Sequence, residues 1–196
     1  MANIDAPNGF TPSYHRNGGT VRYDGDFKIA SGLAADIFLG DLVIIDAVAD
    51  GVHITVGAAA STRILGVFAG CNYTAANGDV VWAKQWVSGT ATLGAVSAEA
   101  HVYTDQNIVY TAQVDGAIAE ADLFGYADSL QTHAGNAATG VSGMEINSAA
   151  TAATILQLKL LRAAPAPDGI DQSDITAAFS RVECMIAEGE YYVWDA

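Results

Sequence analysis

Between Thr20 and Asp115, hydrophobic and polar positions alternate in short runs, each closed by Gly, Asn or Asp. A period of two with such punctuation predicts half-buried strands. "TVRYDGDFKIA" alternates and reads as a strand or a hairpin about Asp24-Gly25, and "DIFLGDLVIID" carries the apolar run Leu42, Val43, Ile44, Ile45 behind Gly40-Asp41. "GVHITVG" sets Val52, Ile54 and Val56 on one face, with His53 and Thr55 on the other. In "RILGVFAGCNYTAANGDVVWAKQW" two strands flank the turn "NYTAANGD". Strict alternation in the first of these puts Ile64, Gly66, Phe68 and Gly70 opposite Leu65, Val67, Ala69 and Cys71. "EAHVYTDQNIVYTAQVDG" gives two more strands, broken at Asp105-Gln106-Asn107.

After Asp115-Gly116 the period changes. In "AIAEADLFGYADSL", Ala119, Leu123, Tyr126 and Ala127 recur at helical spacing, so residues 117–130 are expected to form the one short helix. Residues 132–152 are small and polar and read as a loop. "TILQLKLLRAA" and "FSRVECMIAE" then read as a closing pair of strands, joined by the long connection "PAPDGIDQSDITAA". Many short strands with Gly-rich turns predict a mainly β fold, sandwich or barrel-like, with a small helix.

Residues 1–20 differ from the rest. Pro7-Asn8-Gly9, Pro12 and Asn17-Gly18-Gly19 break any regular element, which predicts an extended N-terminal arm preceding a β-rich body over 21–196. Phe10, Tyr14 and His15 are the side chains that would anchor such an arm.

Charge narrows the partners. Across 196 residues, 22 Asp and Glu oppose 8 Lys and Arg, a formal charge of −14. Spread along the chain, it repels phosphate backbones and anionic bilayers, so neither nucleic acid nor membrane is an expected partner. "MANIDAPNGFTPSYHRNGG" has no basic stretch followed by an apolar core, so synthesis in the cytosol is expected.

Candidate chemistry is sparse. Cys71 has Gly70, Asn72 and Tyr73 beside it and no cation nearer than Arg63, so it reads as a small buried hydrophobe, as does Cys184. His15, His53, His101 and His133 show no metal-ligand spacing, and no metal or cofactor is expected. "GVSGM" misplaces the second glycine of a serine elbow. Asp24 with Asp26 lacks a calcium loop, and Asp168, Asp171 and Asp174 suit turns or caps.

Five stretches together carry a resemblance: "DAPNGFTPSYHRNGGTVR", "IASGLAADIFLGDLV", "ILGVFAGCNYTAANGDVVWAKQW", "HVYTDQNIVYTAQVDG" and "RVECMIAE". Over residues 5–188 the chain resembles the capsid decoration proteins of tailed bacteriophages, most specifically at 65–71 and 105–109. The resemblance implies a non-enzymatic virion protein made in the bacterial cytoplasm and bound to the outside of an icosahedral shell. It implies a β-tulip or β-barrel-like body, an N-terminal arm that contacts the major capsid protein, and a homotrimer. Asn8, Phe10, Pro12, Tyr14, His15 and Arg16 are then the expected shell contacts, with Arg22 pairing an acidic partner. Residues 117–130 are a candidate subunit interface. A second reading is a phage tail or adhesion component binding a host surface glycan through Trp82, Trp86 and Trp194. A third is a hydrolase whose Asp and His residues converge only on folding.

Overall fold

A computed structural model describes residues 3–46, 51–57, 63–165, 174–190 and, for the backbone, 192–193. Asp168, Asp171, Trp194 and most of the "PAPDGIDQSDITAA" connection lie outside the described residues. The chain is mainly β, with no helix of seven or more residues among the described residues. No helix among the described residues is long and apolar enough to cross a membrane.

The strands, in chain order, are β1 (Thr11–His15), β2 (Asp24–Ile29), β3 (Ile37–Phe38), β4 (Leu42–Ile45), β5 (Ile54–Val56), β6 (Gly66–Thr74) and β7 (Val80–Ala83). Then follow β8 (Gln85–Trp86), β9 (Ala98–Tyr103), β10 (Ile108–Gln113), β11 (Tyr126–Leu130), β12 (Glu145–Ala152), β13 (Leu158–Ala163), β14 (Arg181–Ile186) and a short hairpin of β15 (Glu188–Gly189) and β16 (Tyr192–Val193). Sheet A runs β1-β10-β14-β13-β11-β12. Sheet B runs β2-β9-β6-β4-β5, with β7 added to β6, and β3 pairs β8 in a separate ribbon. The named pairs are antiparallel, and among the described residues no sheet closes into a barrel, which corrects the barrel-like expectation.

Sheet B carries apolar side chains on both faces, which is why its strands hold continuous apolar runs instead of clean alternation. Leu42 and Val67 pack with Ile108, Tyr110, Leu160, Val182 and Cys184 of sheet A. Their neighbours Val43 and Phe68 point the other way, into a second core with Phe27, Ile29, Val102, Ile37 and Trp86. The β3–β8 ribbon covers that second core through Ile37 and Trp86.

Four local expectations change. Strict alternation fails in β6: the register shifts between Phe68 and Gly70, so Phe68 and Cys71 share a core although three positions apart. Gly70 enables this bulge with φ +133, in contact with Ala83, whose carbonyl oxygen a Cβ would meet at 2.9 Å.

Residues 117–130 form no α-helix. A single 3₁₀ turn at Glu120–Asp122 precedes Phe124 at φ +64 and Gly125, and the chain then enters β11, paired on both sides by β12 and β13. Two-sided strand pairing outweighs a weak helical period interrupted by glycine. The expected loop at 132–152 ends in β12, an edge strand whose Ser, Ala and Thr side chains leave little hydrophobic signal apart from Ile146.

The N-terminal segment is likewise part of the body. β1 pairs β10 with Thr11 opposite Thr111 and His15 opposite Ile108, and Phe10 lies in the first core at 1% exposure. Pro12 is tolerated because β1 is an edge strand. The apparent breaker Gly9 is a packing requirement: at φ +68 a Cβ there would fall 2.5 Å from the Ser142 Cβ and 2.6 Å from the Gly40 oxygen. The backbone donors of this stretch find partners at home, Phe10 N–H donating to Gly40 O at 2.9 Å. Buried Gln113 accepts from Ala6 N–H at 3.1 Å and donates to Ile4 O at 2.7 Å.

Candidate functional site

Three of the seven residues expected to reach for a shell, Phe10, Tyr14 and His15, have their side chains engaged within the molecule. Phe10 is buried, which removes it from any surface contact. The Tyr14 hydroxyl donates to Glu183 at 3.0 Å, and Glu183, itself 2% exposed, also accepts from Arg162 through Nε at 2.7 Å and Nη2 at 3.2 Å. Burial, then that carboxylate, raises the Tyr14 pKa. His15 Nδ1 accepts the backbone N–H groups of Asn17 and Gly19, which places its proton on Nε2, 3.0 Å from Asp105. The Asn107 backbone N–H, followed by His15, lowers the Asp105 pKa. Asn8 and Pro12 are half-buried, while Arg16 and Arg22 are exposed.

Both thiols are poor nucleophiles. Burial pushes Cys71 up to about 12 and Cys184 higher still, so neither forms a thiolate near neutral pH. Asp41 escaped sequence reasoning. It is fully buried, its Oδ2 accepts from Phe38 N–H at 2.7 Å and its Oδ1 from the Ser142 hydroxyl at 2.5 Å. Burial raises its pKa to about 6 against these two opposing hydrogen bonds. It knots the β3–β4 turn to Ser142 beneath the N-terminal segment, a structural duty.

One open surface is the edge of sheet B around β7. Val80 and Trp82 each stand 70% exposed there, and Tyr23, just before β2, is 51% exposed. His101 of β9 lies between the two rings. Tyr23 stacks on it with centroids 4.7 Å apart and planes 2° from parallel, and Trp82 meets it edge-on at 5.7 Å. Polar groups border these rings: Asn72 Oδ1 is 2.8 Å from His101 Nε2, and Asn72 Nδ2 donates to Glu99 at 3.2 Å. Register explains the assembly, since Asn72 is opposite Trp82 on one side and Glu99 on the other. Aromatic faces, an amide and a carboxylate held on rigid strands are groups chemically suited to recognition. Trp82 was expected to be available for stacking, and it is. Trp86 is not, being wholly buried in the second core. Tyr23 and His101 were missed because their partnership is made by strand pairing, not by spacing.

A second exposed feature concentrates scarce positive charge. Arg16 and Lys159 line one cleft with Tyr126 and Met185, and Lys159 Nζ sits 4.1 Å above the Tyr126 ring. No protein-family model matches the chain, and no curated protein or solved structure matches it.

Proposed function

We propose that this chain is a structural virion protein that binds the outer surface of an icosahedral phage capsid and stabilises it by bridging major capsid protein subunits, acting as a homotrimer. The observation that carries the reading is the Tyr23–Val80–Trp82 surface, an exposed aromatic and apolar patch on a rigid sheet edge. Such a patch suits burial against another protein, and Trp and Tyr dominate the energetics of such contacts. The sequence resemblance supplies the shell as the partner. The outer edge of β1 and the Arg16–Lys159 cleft offer a second contact, through strand addition and through attraction to acidic groups. Many copies of a modest contact are enough to brace a shell against the pressure of packaged DNA.

One specific observation favours the glycan-binding tail or adhesion component as a second reading. Stacked rings beside an amide and a carboxylate, as at Tyr23, Trp82, Asn72 and Glu99, also suit a sugar ring. Sedimentation with capsids lacking the protein separates the two. Hundreds of bound copies per particle, lost in Trp82→Ala, support decoration. No capsid binding, with saturable and Trp82-dependent binding to host surface glycan, replaces it with the second reading.

A further inference from the structure

Three carboxylates among the described residues are almost fully buried: Asp41, Glu145 and Glu183. Asp41 has a donor on each oxygen and Glu183 has three donors. Glu145 is different. Its Oε2 receives the Thr132 hydroxyl and lies 3.2 Å from His133 Nδ1, while its Oε1 is buried with no hydrogen-bond partner. Other buried polar atoms also lack a partner (Asn8 Oδ1, Gln85 Oε1, Trp86 Nε1 and Ser180 Oγ), but Glu145 Oε1 is the only carboxylate oxygen of that set. An anionic oxygen shut away from water without a donor is strongly unfavourable, and a cation bound to the carboxylate is one partner that relieves it.

The surroundings supply the rest of a cation site. His133 Nε2 lies 3.5 Å from Asp5 Oδ2, and one ligand atom each from Asp5, His133 and Glu145 lie within 4.8 Å of one another. We infer that Asp5, His133 and Glu145 form a binding site for a divalent transition-metal cation of the zinc class. Two carboxylates and one imidazole make a mixed N/O donor set that suits zinc, whereas calcium and magnesium favour all-oxygen shells. The three residues come from the N-terminal segment, from the chain after β11 and from the first residue of β12, so a bound cation pins residues 3–10 to the body. This inference is independent of the capsid reading.

The test uses the full chain, stripped with chelator and titrated with zinc chloride by calorimetry, with unfolding temperature read in parallel. One zinc per chain and a zinc-dependent rise in unfolding temperature are expected. Asp5→Asn and His133→Ala, both at exposed positions, should each weaken binding at least tenfold, and Glu145→Gln should do so by more. If Glu145→Gln fails to fold, the two exposed variants decide alone. The inference is overturned by no stoichiometric zinc uptake, by undiminished uptake in the Asp5→Asn/His133→Ala double variant, or by calcium binding as tightly as zinc.

Discussion

The N-terminal segment and the outer edge of sheet B deploy their aromatic residues in opposite ways. Around β1 each ring has internal work: Phe10 fills the core, Tyr14 bonds Glu183 and His15 bonds Asp105. Around β7 the rings are left to solvent, with Tyr23 and Trp82 more than half exposed. The first region is rich in Pro and Gly and looks like a loose tether; the second is a regular hairpin and looks like interior structure. Their roles are reversed. The breaker-rich stretch acts as a keystone in the first core, and the orderly strands display the exposed rings that we propose as a contact surface.

The largest effect should come from removing the keystone. Phe10→Ala is expected to cost about 3–5 kcal/mol, since it deletes a fully buried ring from the core shared by the two sheets. Urea unfolding checks this. A loss below about 1 kcal/mol would break the comparison and restore a detachable arm.

Asp41 sharpens the same point through pH. Its folded pKa of about 6 stands above its ordinary 3.8, so the folded chain binds this proton more tightly than the unfolded chain. Stability from this group is therefore greatest below about pH 3.8, falls as pH rises towards 6 and is level above that. The gap corresponds to about 3 kcal/mol. Asp105, whose pKa is lowered, works in the opposite sense, its contribution being lost on acidification. The difference between wild type and Asp41→Asn isolates the Asp41 term: the variant should gain relative stability between pH 4 and pH 7. A flat difference would show that this carboxylate is solvated and the N-terminal segment loosely seated.

How much of this was legible follows from where each signal resides. Leu42–Ile45, the strand pair about Asp105-Gln106-Asn107 and the two closing strands announce themselves by runs of large apolar residues, and all are strands. β12 and β11 do not, because Ala, Ser and Thr fit strand, loop and helix alike until neighbours pair with them. Gly9 and Gly70 misled for a related reason. Both have positive φ, and neither has room for a Cβ because of Ser142 and Gly40 at Gly9 and of Ala83 at Gly70, contacts that sequence does not reveal. The exposed aromatic surface was half visible: Trp82 stood out as a tryptophan in a strand, but the stacking of Tyr23 on His101 joins residues nearly eighty positions apart. Asp5, His133 and Glu145 share no spacing rule, so their convergence exists only in three dimensions.

A smaller effect should follow from Arg162→Ala. Glu183 would stay buried with Tyr14 as its remaining donor, while the guanidinium lost is more than half exposed and screened by water. About 1–2 kcal/mol is expected by urea unfolding, accompanied by a more mobile Tyr14 ring in NMR spectra. No loss at all would mean that β1 is held by its core residues and backbone pairing alone.

The smallest effect on stability, and the one that best separates the two regions, belongs to Trp82. Its ring stands 70% exposed, and its edge contact with His101 at 5.7 Å is its one aromatic contact among the described residues. Truncation to alanine removes little buried area, so unfolding free energy should change by less than about 0.5 kcal/mol. Partner binding should fall at least tenfold, because an exposed tryptophan on a fixed strand loses little entropy on docking and contributes a large apolar face. Phe10→Ala should show the reverse at temperatures where it remains folded, with stability lost and partner affinity kept. If Trp82→Ala instead destabilises the fold while leaving partner binding intact, the ring is structural after all and the contact surface lies elsewhere.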